Sequence, residues 1–165
     1  MKLPIIAFSI LAVAGGAEKM KISSPSFSSG GEIPAKFTCH GGSVSPELEI
    51  SGTPSGAKSL ALIIDDPDAP GGLFTHWLVW NIDPQVNKIA ENSPPAGAAQ
   101  GANDFGKRGY GGPCPPSGTH RYFFKIFALD RKLDLKSDAK RADLDKAMSG
   151  HVVAQGELMA RFGKK

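Results

Sequence analysis

The stretch that decides the fold is Ser59-Leu60-Ala61-Leu62-Ile63-Ile64-Asp65, followed at once by Asp66-Pro67-Asp68. A continuous apolar run of this length, closed by turn-forming residues, predicts a central strand that is buried on both faces. Pro67 has no backbone N–H to donate to a neighbouring strand, so it ends the strand. The three aspartates are therefore expected at the mouth of a buried strand.

Two further strands are predicted to begin at histidines. In the strand His76–Ile82, a period of two places His76, Leu78, Trp80 and Ile82 on one face. In the strand that follows His120, the same period aligns His120 with Tyr122, Phe124, Ile126 and Ala128. Each histidine thus opens a row of large apolar residues, which predicts a polar site at the rim of a hydrophobic core. Lys125, on the opposite face, is expected to extend to solvent.

The remaining pattern is mostly that of short strands. Strands are predicted at residues 20–23, 35–38, 48–51 and 154–162, and residues 83–119 form a long segment with little regular pattern. One helix is predicted to begin at Ser137 or Asp138 and to end at Gly150. Many strands with a late helix predict a mainly-β fold: an antiparallel β-sandwich of two sheets with a few helices, one near the C-terminus.

Length and composition fit one globular domain. The chain has 165 residues, of which 41% are hydrophobic and 21% are charged. The net charge of +3 comes from 19 basic and 16 acidic residues that are scattered along the chain, so no nucleic-acid partner is expected.

The N-terminus has the pattern of an export signal. A basic start, an apolar stretch and small residues predict a signal peptide at residues 1–17 and a single domain at 18–165, in a periplasmic or secreted protein. The alternative is an apolar N-terminal strand or helix of the fold itself.

The expected state of the two cysteines, Cys39 and Cys114, depends on that compartment. An even cysteine count in an exported protein predicts one disulfide, and two buried thiols are the alternative. A structural zinc site needs four ligands, commonly in close pairs, and only one such pair, Cys39-His40, is present. We therefore expect neither a metal nor another cofactor.

Two loops of similar design carry the chemistry. Asp65–Pro70 precedes His76, and Tyr110–Pro116 precedes His120. The second loop offers amide donors at Gly111, Gly112 and Cys114 that can converge on an anion. Histidine and the Tyr122 hydroxyl can donate to phosphate oxygens, and a carboxylate from Asp66 or Asp68 can orient a histidine or receive an ammonium group. This predicts a pocket for phosphate or a phospho-headgroup, although each loop alone is also compatible with a plain turn.

Taken together, the motifs resemble the phosphatidylethanolamine-binding protein family, also called Raf kinase inhibitor-like, and more narrowly its bacterial branch. The matching stretches are Phe37-Thr38-Cys39 with Ser45-Pro46, Asp66-Pro67-Asp68-Ala69-Pro70, His76-Trp77-Leu78-Val79-Trp80-Asn81-Ile82, Asn103-Asp104-Phe105-Gly106, Tyr110-Gly111-Gly112-Pro113-Cys114-Pro115-Pro116, Gly118-Thr119-His120-Arg121-Tyr122 and Ala154-Gln155-Gly156-Glu157-Leu158. The resemblance implies two antiparallel sheets and an anion pocket at one end of the sandwich. It implies that this pocket is lined by Asp66, Asp68, His76, Pro116, His120 and Tyr122, with the amides of Gly112 and Cys114 facing the anion.

The expected function is non-enzymatic binding of small phosphate-bearing ligands, such as phosphorylethanolamine, with or without regulation of a partner protein. One alternative is a protein-interaction module, of the kinase- or protease-inhibitor kind, that uses segment 83–119. Another is a hydrolase with His76 as base and Asp66 as its orienter, but the chain has no Gly-x-Ser-x-Gly motif. The sequence is also compatible with peripheral contact with membrane headgroups and with a homodimer.

Overall fold

The computed structural model describes residues 17–163, and the predicted signal peptide falls almost wholly outside this range. The division into a signal at 1–17 and a domain at 18–165 therefore stays a prediction. The strands are β1 (Glu18–Lys19), β2 (Lys21–Ser23), β3 (Leu48–Ser51), β4 (Ser59–Asp66), β5 (Phe74–Ile82), β6 (Lys88–Ile89), β7 (Ala99–Gln100), β8 (Thr119–Leu129) and β9 (Val152–Gly163). The helices are α1 (Arg141–Met148) and a 3-10 turn (Ala35–Phe37).

The strands form two sheets. The larger sheet has the order β1-β9-β8-β4-β5-β7 and the smaller one has the order β2-β3-β6. All named pairs are antiparallel except β1 with β9, which is parallel. The predicted mainly-β sandwich of two sheets with one helix near the C-terminus is confirmed. No helix among residues 17–163 is long and apolar enough to cross a membrane.

The larger sheet is buried on both faces at its centre. Every residue of β4 is buried, as its continuous apolar run predicts. One face packs against the smaller sheet, and this core includes Ile22, Leu48, Phe124 and Leu158. The other face packs under α1. Two cores therefore meet at β4, and Asp65 and Asp66 lie at its end between them.

β5 departs from a strict period of two, and this corrects the predicted face of His76. Ile64 pairs with Trp77 and Asp65 with Thr75, so His76 is the extra residue of a β-bulge. A second irregularity lies near Asn81, whose φ is +56°. Leu78 and Trp80 share the α1-side core, but Ile82 packs into the core between the sheets.

His76 also leaves the row of Leu78 and Trp80. Its ring contacts Tyr122, with the ring centroids 5.3 Å apart. The bulge therefore turns His76 toward the row that begins at His120.

One predicted strand and the predicted start of the helix are wrong. Residues 35–37 form a 3-10 turn rather than a strand, because the Thr38 hydroxyl donates to the Ala35 carbonyl oxygen at 2.8 Å and closes the turn. The helix begins at Arg141, where the Asp143 carboxylate accepts the Lys140 N–H at 2.9 Å. The predicted cap Ser137 instead accepts a hydrogen bond from Arg108.

Candidate functional site

A small cavity lies where β4, β5 and β8 end at the same edge of the larger sheet. Its volume is about 140 Å³. Six of the eight predicted site residues line it: Asp66, His76, Cys114, Pro116, His120 and Tyr122. Sequence reasoning missed the other lining residues, which are Ala69, Pro70, Phe74, Phe105 and Pro115. The signals for the two phenylalanines were present, since Phe74 lies two residues before His76 and Phe105 lies inside a matching motif.

A buried hydrogen bond joins His120 and Asp66 on one wall of the cavity. The Nδ1 atom of His120 lies 2.6 Å from the Oδ2 atom of Asp66, and both residues are buried. The Oδ1 atom of Asp66 accepts the backbone N–H of Asp68 at 2.8 Å. The carboxylate thus fixes the imidazole and leaves Nε2 as the ring nitrogen that can meet a ligand.

His76 faces the same cavity with the opposite hydrogen-bonding character. Its Nδ1 atom lies 2.7 Å from the Gly111 carbonyl oxygen, which only accepts, so Nδ1 carries the proton. Burial lowers the pKa of His76, and the bond to Gly111 and the charge of Asp66 offset this only in part. The neutral ring therefore leaves Nε2 as an acceptor at neutral pH.

The ring of Tyr122 lies beside both histidines. Its ring contacts His76 at a centroid distance of 5.3 Å and stacks on His120 at 6.5 Å. Burial raises the pKa of this hydroxyl, and the charges of Asp66 and Asp68 raise it further, so the group keeps its proton. The hydroxyl is buried and has no hydrogen-bond partner among the described residues. A buried donor in this condition is an uncommon feature that a bound acceptor would satisfy.

The loop 110–116 is clamped onto the segment after the 3-10 turn. Cys39 and Cys114 form a disulfide with a Cα–Cα distance of 5.4 Å, which confirms the predicted bridge. The Cys39 N–H donates to the Pro113 carbonyl oxygen at 3.1 Å, and the Tyr110 hydroxyl donates to the Phe37 carbonyl oxygen at 2.7 Å. The wall of the cavity that Cys114 forms is therefore held from several directions.

The amides of this loop do not all face a ligand. The Gly111 N–H donates to the His76 carbonyl oxygen at 2.9 Å, so it is not available to an anion. Gly112 is buried and does not line the cavity; a Cβ there would lie 2.6 Å from the Phe37 carbonyl oxygen. The role of Gly112 in the geometry is thus close backbone packing. The Cys114 amide donates to no group among the described residues.

Asp68 lies outside the cavity, in an adjoining groove that it shares with His120 and Arg161. Its carboxylate accepts two bonds from the Arg121 guanidinium and one from the Arg121 backbone N–H, all at 2.9 Å. These bonds lower the pKa of Asp68 to about 2. Asp68 is therefore bonded to Arg121, and Asp66 is the carboxylate that lines the cavity.

No group of three metal-ligating side chains occurs in residues 17–163. The acids and histidines of the cavity instead pair with each other or with the backbone, as Asp66 does with His120 and His76 with Gly111. The arrangement can offer a small ligand a donor at Tyr122, an acceptor at His76 and, at His120, a ring that Asp66 orients.

The chain is similar to known proteins over nearly its whole length. The family model described as phosphatidylethanolamine-binding protein matches residues 23–163. A UPF0098 protein of Pyrococcus horikoshii is 48% identical over 163 residues, which are 93% of this chain and 82% of that protein.

Two solved structures share the fold. A phosphatidylethanolamine-binding protein homolog from Chlamydia trachomatis has a TM-score of 0.86 and 42% identity, covering 90% of this chain and 100% of its own. The Escherichia coli protein YbcL, described as a member of the mammalian PEBP family, has a TM-score of 0.83 and 34% identity, covering 88% and 99%. Because the similar proteins include archaeal ones, a placement in a bacterial branch is too narrow.

Proposed function

The chain belongs to the phosphatidylethanolamine-binding protein family, and we propose that it binds small phosphate-bearing ligands in its cavity without transforming them. The observation that carries this proposal is the buried hydroxyl of Tyr122, which has no hydrogen-bond partner within residues 17–163, in a cavity whose wall also holds the hydrogen-bonded pair of His120 and Asp66. A phosphate oxygen accepts hydrogen bonds, so it satisfies both the hydroxyl and a protonated His120.

The two histidines suit a ligand that carries both a phosphate and an amine. When His120 holds two ring protons, Nδ1 donates to Asp66 and Nε2 donates to the phosphate. His76 is neutral and presents a lone pair, which receives an ammonium group or the O–H of a singly protonated phosphate. Phosphorylethanolamine has both features and fits this class of ligand.

The lining of the cavity favours binding over catalysis. It contains no serine, threonine or lysine, and the sulfur of Cys114 is held in the disulfide. A hydrolase would therefore depend on water activated by a histidine. Export to the periplasm or beyond, contact with a partner protein and a homodimer remain parts of this hypothesis that follow from sequence alone.

The proposal is tested by calorimetric titration of residues 18–165 with phosphorylethanolamine and with inorganic phosphate. We expect a dissociation constant of roughly millimolar to micromolar, as befits a pocket with few donors. Tyr122→Phe removes only the unpartnered hydroxyl, so it should weaken binding about tenfold with no loss of folding stability. His120→Ala should abolish the binding heat.

Tyr110→Phe is the matched control, because its hydroxyl is also buried but bonds to Phe37 outside the cavity. It should lower stability and leave the affinity unchanged. Equal affinities for wild type and Tyr122→Phe, or no heat with either ligand, would contradict the proposal. Release of phosphate from phosphorylethanolamine that disappears in His76→Ala would show that the protein is an enzyme instead.

A further inference from the structure

The disulfide between Cys39 and Cys114 lies at the surface, beside the cavity. Both cysteines are exposed, and Cys114 also lines the cavity. Disulfides that are exposed are in general easier to reduce than buried structural ones, because a thiolate in solution can reach a sulfur atom. The bridge therefore combines access to solvent with direct contact with the cavity.

The chain around Cys39 is held firmly without the bridge. The Thr38 carbonyl oxygen accepts the Ser43 N–H at 3.1 Å, and the Thr38 hydroxyl accepts the His40 N–H at 3.2 Å. Thr38 itself is fully buried. Opening of the bridge is therefore expected to leave the backbone at Cys39 in place.

The chain that follows Cys114 depends on the bridge much more. Residues 114–118 make no hydrogen bond with any group in residues 17–163, and two of them are prolines, which have no N–H to donate. Before this segment, the Pro113 carbonyl oxygen accepts the Cys39 N–H at 3.1 Å. After it, the next tie is the pairing of Thr119 with Gly163. The bridge is therefore the main tie of residues 114–118 to the rest of the described chain.

This segment forms one wall of the cavity. Cys114, Pro115 and Pro116 all line it. The polar groups of the cavity are held independently, since His120 bonds to Asp66 and the His76 ring bonds to Gly111, and none of these residues lies in the segment. Reduction of the bridge should therefore loosen the wall and change the shape of the cavity without removing its polar groups.

We propose that the bridge between Cys39 and Cys114 is a thiol–disulfide exchange site, and that a dithiol reductant opens the cavity wall through it. A thiolate of the reductant attacks one bridge sulfur, forms a mixed disulfide with it and displaces the other cysteine as a thiolate, which takes up a proton. The second thiol of the reductant then breaks the mixed disulfide. Two electrons and two protons pass to the bridge, so both cysteines end as thiols and the reductant ends as a disulfide.

The exchange itself does not depend on what the cavity binds. Its consequence for ligand affinity rests on the proposed function. The two parts are therefore tested separately.

The exchange is tested on folded wild-type protein, residues 18–165, with dithiothreitol at mildly alkaline pH and without denaturant. Thiols are trapped with iodoacetamide at successive times and counted by mass spectrometry. We expect the rate of reduction to rise in proportion to the concentration of dithiothreitol, because the exposed bridge is attacked in the folded state. A rate that levels off at the unfolding rate measured in the same buffer would overturn the exchange site.

The effect on the cavity is tested by calorimetric titration with phosphorylethanolamine, with and without dithiothreitol. Reduced wild type should bind about tenfold more weakly than oxidised wild type, a typical size for coupling between two sites. The double variant Cys39→Ser with Cys114→Ser is the matched control. It has no bridge to reduce, so its affinity should be the same in both conditions and close to that of reduced wild type.

Because such coupling is reciprocal, saturating phosphorylethanolamine should shift the equilibrium with the dithiothreitol couple about tenfold toward the bridge. Equal affinities of the oxidised and reduced proteins, or an equilibrium that the ligand does not shift, would overturn control of the cavity and leave the proposed function intact.

If neither form binds phosphorylethanolamine, the proposed function is wrong, and amide NMR spectra of the two forms then decide the inference. Changes on reduction that extend to His76 and His120 would support an opened wall. Changes confined to the immediate neighbours of Cys39 and Cys114 would overturn it.

Discussion

Asp65 and Asp66 are adjacent and identical in type, and both are buried, but they serve different sides of the larger sheet. Asp65 points toward α1, where its Oδ2 atom lies 2.6 Å from an Arg141 guanidinium nitrogen and 3.2 Å from the Lys125 ammonium nitrogen. Asp66 points into the cavity and pairs with His120. Because successive side chains of a strand alternate between faces, one residue of offset separates a structural ion cluster from the cavity.

The comparison shows how each side satisfies a buried charge. On the α1 side, two cations meet one carboxylate, which ties the helix to the sheet. Lys125 was expected to reach solvent, but it is half-buried and turns to Asp65. On the cavity side, the carboxylate holds one ring and leaves donors and acceptors aimed at an open space. Both sides hold buried polar atoms with no hydrogen-bond partner among the described residues: Asp65 Oδ1 and Trp80 Nε1 on the α1 side, and the Tyr122 hydroxyl on the other. The two sides differ in that only the side of Asp66 adjoins a cavity.

The largest effect on stability is expected from removal of the disulfide that holds the cavity side. Cys39→Ser with Cys114→Ser removes a bridge across a sequence separation of 75 residues, which should cost about 4 kcal/mol of unfolding free energy. It should also weaken phosphorylethanolamine binding, because Cys114 lines the cavity. Urea unfolding and calorimetry measure the two effects.

The bridge itself is checked by thiol titration of the denatured protein, which should find no free thiol. If the unfolding midpoint is the same with and without reductant, the disulfide does not stabilise the folded protein.

A matched pair of isosteric variants separates the two aspartates. Asp65→Asn leaves Arg141 and Lys125 without their carboxylate, so it should cost about 3 kcal/mol of unfolding free energy and leave ligand affinity unchanged. Asp66→Asn should cost less stability, about 1 kcal/mol, and weaken phosphate binding about tenfold, because a protonated His120 loses its counter-charge. Chemical denaturation and calorimetry on both variants make the comparison.

The reverse pattern, with affinity lost in Asp65→Asn and retained in Asp66→Asn, would show that the assignment of the two faces to structure and ligand is wrong.

The smallest effect is a pH dependence on the cavity side. Burial lowers the pKa of His76 below the ordinary value of 6.5, so the unfolded chain takes up a proton at a higher pH than the folded protein does. The contribution of neutral, buried His76 to the free energy of unfolding is fully present above pH 6.5. It is lost as the pH falls toward the lowered pKa, and the free energy of unfolding then changes by up to about 1.4 kcal/mol per pH unit.

His76→Asn keeps a donor for the Gly111 carbonyl oxygen but does not titrate. The difference in unfolding free energy between pH 7.5 and 5.5 should therefore be smaller in this variant than in the wild type. Identical pH profiles would mean that His76 titrates normally in the folded protein.

Much of the fold was predictable, because its signals are local. The apolar run from Ser59 predicts a doubly buried strand, and the row from His120 to Ala128 follows a period of two. The disulfide followed from an even cysteine count, with two buried thiols as the alternative. The 3-10 turn at 35–37 was missed because two backbone hydrogen bonds, Phe37 N–H to Pro34 and Thr38 N–H to Ala35, and the bond from the Thr38 hydroxyl outweigh the weak strand propensity of four residues.

The cavity was predicted less completely. Its polar residues could be named from their loops, and six of the eight predicted ones line it. Asp68 lines the adjoining groove instead, where it bonds to Arg121, a residue that is 53 positions away along the chain. Phe105 was missed because its place in the wall depends on the turn that Asn103 builds.

The sequence by itself determined the long strands β4, β5, β8 and β9 and named most of the polar residues that line the cavity. Alternation, apolar runs and proline act through contiguous residues, so they can be predicted without the fold. The tertiary structure alone decided which face His76 joins, because the bulge in β5 depends on its register with β4. It also decided which aspartate lines the cavity and which one pairs with α1, because those partners lie 54 and 76 residues away along the chain.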